Sequence, residues 1–177
     1  MGMFLDSRIP FEAFKSVASD TYFVDKSDII DELIPAIGRE RRFVCITRPR
    51  RFGKSVMANM IATYFGNAVD ASMLFEGLKI SKSEKYQGHL NQYSVIFIDF
   101  SEEPENCRNY EDYINRIING IKADLAEAYP EIVTDLKKSV WDILTEIFQK
   151  TDHTFVFIMD EWDAVFHMPY ITEELPV

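Results

Sequence analysis

Apolar residues are arranged along this chain in two ways. At intervals of three and four, Ile29, Ile30, Leu33, Ile34 and Ile37 share one helical face, with Asp25 or Ser27 able to cap the helix and Gly38 to stop it. The same spacing predicts a helix from Ser55 with Met57, Met60, Ile61, Tyr64 and Phe65 on one side and a stop at Gly66 and Asn67. A long helix carries Ile114, Ile117, Ile118, Ile121, Leu125 and Ala128 up to Pro130, and another carries Val140, Ile143, Leu144, Ile147 and Phe148.

Between these periodic stretches lie uninterrupted apolar runs, too short for helices and rich in strand formers. Residues 43–47, 94–100 and 155–159 therefore predict buried strands, and residues 75–80 a further short one. Arg39 to Arg42 turns the chain into the first run, and the polar stretch from Glu102 to Asn109 reads as a loop. Strands alternating with helices imply a mostly parallel sheet covered on both faces, a three-layer α/β/α arrangement. Ligands of such sheets bind beyond the carboxyl ends of the strands. With no internal repeat or low-complexity linker, residues 1–177 read as one domain.

Composition narrows the picture. A net charge of −10 and a pI near 4.8 argue against a surface built to coat nucleic acid or anionic membrane, since phosphate neutralisation needs Lys and Arg in excess. No run reaches the roughly 20 apolar residues that cross a bilayer, and the start lacks the order of a signal peptide, so the expectation is a cytoplasmic protein. Cys45 and Cys107 have no metal or disulfide spacing and read as thiols. His89, His153 and His167 are scattered and read as surface or internally bonded side chains.

The basic residues, however, are not spread evenly. Seven of the nineteen Lys and Arg residues (Arg39, Arg41, Arg42, Arg48, Arg50, Arg51 and Lys54) fall within sixteen positions around the first apolar run. There, Arg48-Pro49-Arg50-Arg51-Phe52-Gly53-Lys54-Ser55 matches the phosphate-loop pattern G-x-x-x-x-G-K-[ST] except that Arg48 replaces the first glycine. The remaining fixed positions have clear chemistry. Gly53 permits close backbone approach, successive N–H groups into Val56 and the start of the helix attract phosphate, and Lys54 neutralises charge. Ser55 offers a hydroxyl to Mg2+, while Arg50 and Arg51 present forked donors that either touch phosphate or remain solvated. The segment follows an apolar run and opens an amphipathic helix, the setting the motif requires. The alternative of a plain nucleic-acid contact through this loop conflicts with the acidic balance.

A second pattern closes the chain's last apolar run, where Asp160 and Glu161 follow Met159. An acid at that strand end suits a Mg2+ ligand, and Glu161 suits a general base toward water, a role closed to a carboxylate committed to metal. Asp99 ends a similar run but is followed by Phe100. It therefore reads as a carboxylate accepting backbone N–H bonds from its own loop.

These residues resemble the bacterial AAA-ATPase-like family. Its phosphate loop typically reads Thr-Arg-Pro-Arg-Arg-Phe-Gly-Lys-Ser, the string from Thr47 to Ser55. The likeness extends to Tyr22-Phe23-Val24-Asp25-Lys26-Ser27, matching a Tyr-x-Val-Asp-Lys-[Ser/Thr] segment, and to Asp160-Glu161-Trp162-Asp163, with Trp162 for the usual Tyr. It covers residues 9–166 and implies ATP and Mg2+ as cofactors, with Arg48 as a family variant. It also implies that the strand between the two motif strands, and often a nuclease-like domain, come later in the sequence. A sheet lacking that strand would expose apolar surface, so the expectation is a fragment, a partner filling the gap, or direct pairing of the motif strands. Two activities stay open: a Mg2+-dependent ATPase, or a nucleotide- or anion-binding module without hydrolysis.

Overall fold

Proline at the start of a helix lacks a donor that would have no intrahelical partner anyway, and Pro10 occupies that place in α1 (Ile9–Ala18). The computed structural model describes residues 2–40, 42–47, 52–102 and 107–167. The chain divides into two compact units, residues 8–95 and residues 1–7 with 96–177.

In the first unit, α1 precedes the elements read from periodicity and buries Phe14. Ser27 immediately precedes α2 (Asp28–Leu33), which tightens into a 3-10 turn at Ile34–Ala36 and ends before Gly38, at φ 68°. The expected helix after the phosphate loop is α3 (Lys54–Phe65), which packs on α1 and buries Met57, Met60, Ile61, Tyr64 and Phe65. Two short helices follow, α4 (Ser72–Phe75) and α5 (Tyr86–His89). Aromatic packing closes this unit: Phe14 stacks on Phe75 at 5.3 Å, Tyr64 meets Phe75 edge-on, and the Tyr64 hydroxyl donates to the Tyr86 carbonyl at 2.7 Å.

Two strand expectations fail here. Residues 43–47 have no regular structure, and Phe43 is 88% exposed. A strand needs a neighbour to accept its ladder and cover its faces, and among the described residues nothing pairs with this run. Direct pairing of the two motif strands is therefore not found among the described residues. Residues 75–80 instead end α4, turn at Gly77 with φ 86°, and enter a 3-10 turn at Lys79–Lys82. The glycine's left-handed backbone breaks the extended geometry a strand requires.

β1 (Ser94–Asp99) leads into the second unit, which contains α6 (Tyr110–Ala128), α7 (Val140–Thr151) and β2 (Phe155–Asp160). Asn109 caps α6 by accepting the Asp112 N–H. Ser139 and Asp142 form a reciprocal capping box on α7. β1 and β2 form a two-stranded parallel sheet, and the Phe100 N–H donates to the Asp160 carbonyl at 3.1 Å. Ile96 and Ile98 pack with Ile117, Ile121 and Leu125 of α6 and with Ile143 and Ile147 of α7.

The other edge of β1 is closed by the chain's own beginning. Leu5 bridges Ile96 in antiparallel sense, and the Phe97 N–H donates to the Phe4 carbonyl. On α6, the Asp124 carboxylate gathers the N–H groups of Met3, Phe4 and Leu5 at 3.2, 2.7 and 3.0 Å. Gly120 lies under the Phe4 ring, where a Cβ would collide with it, and this explains a residue that otherwise weakens a helix interior. The fold class is thus mixed α/β. No described helix is long and apolar enough to cross a membrane.

Candidate functional site

The phosphate-loop motif enters the structure at Phe52, since Arg48, Pro49, Arg50 and Arg51 lie outside the described residues. Gly53 has φ 77° and ψ 33°, a left-handed conformation that costs a residue with a Cβ about 1–2 kcal/mol. Its carbonyl accepts the Met57 N–H at 3.0 Å, so the helix begins there. Lys54, Ser55 and Val56 form the first turn, where backbone N–H groups have no acceptor within the helix and the macrodipole is positive. No acidic side chain sits in that turn.

Against this turn lies a cleft of about 420 Å3. It is lined by Phe52, Gly53, Val56, Met57 and Met60 and by Tyr22, Phe23, Val24 and Lys26. Met57 and Met60, expected as core residues, are buried and also floor the cleft. The Lys26 ammonium donates to the Phe52 carbonyl at 3.3 Å.

The stretch owes its position to a polar clamp. The Asp25 carboxylate accepts the Ser27 N–H at 2.8 Å and the Lys79 N–H at 2.7 Å, while the fully buried Ser27 hydroxyl accepts the Ile80 N–H at 3.1 Å. Burial pushes the Asp25 carboxyl up, but the Ser27 and Lys79 donors outweigh it and hold the group below its ordinary value. Sequence reasoning named Asp25 or Ser27 as a helix cap, and the segment as a whole through its family resemblance. The Lys26 contact spans 26 positions and leaves no periodic trace.

The acidic half of the motif set lies in the second unit, at the end of β2. Asp160 is 6% exposed, and its carboxylate accepts the N–H of Glu161 at 3.0 Å. Glu161 has φ 49°, an uncommon conformation for a residue with a Cβ. Beside it, at the end of β1, Asp99 accepts the Ser101 N–H at 2.8 Å and the Ser101 hydroxyl at 2.7 Å, the loop-capping role its sequence context implies. Gly53 to Val56 thus gather at the start of α3, and Asp160 and Glu161 at the end of β2. Among the described residues, no group of three or more His, Cys, Asp or Glu is placed to hold a metal. His89 pairs with the Tyr93 hydroxyl at 2.6 Å. His153 packs near the Tyr129 and Phe155 rings, its Nε2 buried without a hydrogen-bond partner among the described residues.

A left-handed glycine opening a helix at Lys-Ser, and a buried acid at a parallel strand end, are features of nucleotide-handling α/β proteins. Residues 8–174 match the family described as predicted AAA-ATPase, and the chain belongs to it. Comparison with curated proteins and with solved structures gave no match.

Proposed function

We propose that this chain is a P-loop nucleotide-binding protein of three-layer α/β/α type that binds ATP with Mg2+ and hydrolyses it in its complete form. The observation that carries the reading is the backbone at Gly53: its left-handed turn opens α3 at Lys54 and Ser55, a helix start whose first amides have no intrahelical acceptor and whose dipole attracts an anion. Membership of a predicted AAA-ATPase family supports the same ligand.

In this reading Lys54 neutralises the β- and γ-phosphates. Ser55 would offer a hydroxyl and Asp160 a carboxylate to Mg2+, hard oxygen donors of the kind that ion takes alongside water and phosphate. When bound, Mg2+ offsets charge on the phosphate chain. Glu161 accepts the proton of the water that attacks the γ-phosphorus, as the bond to the ADP oxygen breaks. Its left-handed backbone is a strain of the kind that persists where a side chain must be aimed.

Thermal unfolding tests the binding. Mg-ATP at about a hundredfold its dissociation constant should add roughly 2.7 kcal/mol of stability, and Lys54→Ala should abolish the gain. A wild-type protein indifferent to Mg-ATP, or a variant that keeps the full gain, overturns the proposal.

A further inference from the structure

The Tyr22–Ser27 segment has no role in the scheme above beyond walling the cleft, yet Lys26 is placed to do more. Its neighbours on both sides are fixed: Asp25 and Ser27 hold the backbone of Lys79 and Ile80, and Ser27 is fully buried. The ammonium therefore extends from an anchored backbone and meets the Phe52 carbonyl. That carbonyl belongs to the peptide unit whose N–H is on Gly53.

A trans peptide is planar and points its C=O and N–H in opposite directions. The described chain has no cis peptide, so holding the Phe52 oxygen toward Lys26 turns the Gly53 N–H away from Lys26. Glycine at φ 77° has little conformational preference of its own, so this plane needs an outside restraint. A cation on the oxygen also polarises the amide and strengthens its N–H as a donor to an anion.

We propose that Lys26 is a positioning residue for the phosphate loop, fixing the Phe52–Gly53 peptide plane so that the Gly53 N–H is presented to the phosphate chain of the nucleotide. The inference rests on the ATP-binding reading. It makes Lys26 serve the polyphosphate without touching it.

Calorimetric titration of the full chain with Mg-ATP and, separately, with inorganic tripolyphosphate tests this. Lys26→Met keeps the side-chain length and removes the donor. It should weaken both ligands about tenfold, or roughly 1.4 kcal/mol, because both lose the same backbone donor. Lys26→Arg should recover most of the loss. The unfolding midpoint without ligand should not move, since the Lys26 contact lies at the surface. Unchanged affinity in Lys26→Met overturns the proposal. So does a loss confined to ATP, which would place Lys26 on the nucleoside, a failure of Arg to rescue, or a lowered ligand-free midpoint. If Lys54→Ala abolishes binding while Lys26→Met does not affect it, this inference alone fails. If the wild type binds neither ligand, the ATP-binding reading falls with it.

Discussion

β1 and β2 are nearly the same strand on paper, Ser-Val-Ile-Phe-Ile-Asp and Phe-Val-Phe-Ile-Met-Asp, yet they occupy different environments. Ser94 to Ile98 are all buried, whereas Phe157 and Met159 of β2 are 41% and 54% exposed. Neighbours make the difference. β1 is bracketed by β2 and by the Phe4–Leu5 stretch, while β2 has β1 as its one strand partner among the described residues. The final acids diverge as well: Asp99 bonds Ser101 within its loop, and Asp160 is buried beside a residue with strained backbone. An unbroken apolar run therefore reports the cover a strand is built for, and its observed burial reports the cover present.

The sharpest test of this contrast is chemical. Glu161→Gln should lower ATP turnover by on the order of a hundredfold or more with binding retained, while Asp99→Asn leaves turnover close to wild type. Equal losses in a steady-state assay would mean that both strand ends serve the reaction. Next comes packing. Ile96→Ala, at a site with 0% exposure, should cost about 2–5 kcal/mol in denaturant unfolding. Met159→Ala should cost less than about 0.5 kcal/mol, and a larger loss would show that the outer face of β2 is covered in solution.

A smaller effect should come from replacing Gly53 with Ala. Among the described residues nothing lies within 4 Å of a Cβ built there, so the expected loss of about 1–2 kcal/mol reflects its φ, a value chemical denaturation can check. The smallest belongs to α7, which lies behind β1. Glu146 accepts hydrogen bonds from Lys138 and Lys150, which bring its carboxyl down from 4.5 to about 2. A depressed acid stabilises the fold above its unfolded value and loses that contribution as pH falls through the folded one. The unfolding midpoints of wild type and Glu146→Gln should therefore differ above about pH 4.5 and converge toward pH 2. A gap that stays constant over that range would exclude the ion pairs as its source.

What the sequence discloses follows the strength of local signals. α3, α6, α7, β1 and β2 all arise where periodic or unbroken apolar residues coincide with caps or turns, as with Asn109, Ser139 and the left-handed Gly53. α1 escaped the periodic reading because one short helix with two buried residues, Pro10 and Phe14, leaves little pattern. The run 43–47 carries strand composition, but composition cannot create a ladder partner. At the site, Gly53, Lys54 and Ser55 are legible because a local motif contains both ligand donors and backbone geometry. Lys26 and the cleft are not, because they depend on a fold that returns Tyr22 to Lys26 to the start of α3.

The Asp124 carboxylate binding Met3, Phe4 and Leu5 has a practical consequence for handling this protein. Trimming the first five residues would strip a half-buried acid of three donors and bare the flank of β1, with its apolar run from Val95 to Ile98, inviting self-association. An affinity handle should therefore leave Met3 to Leu5 in place, and protease nicking near Asp6 should precipitate the sample rather than tidy it.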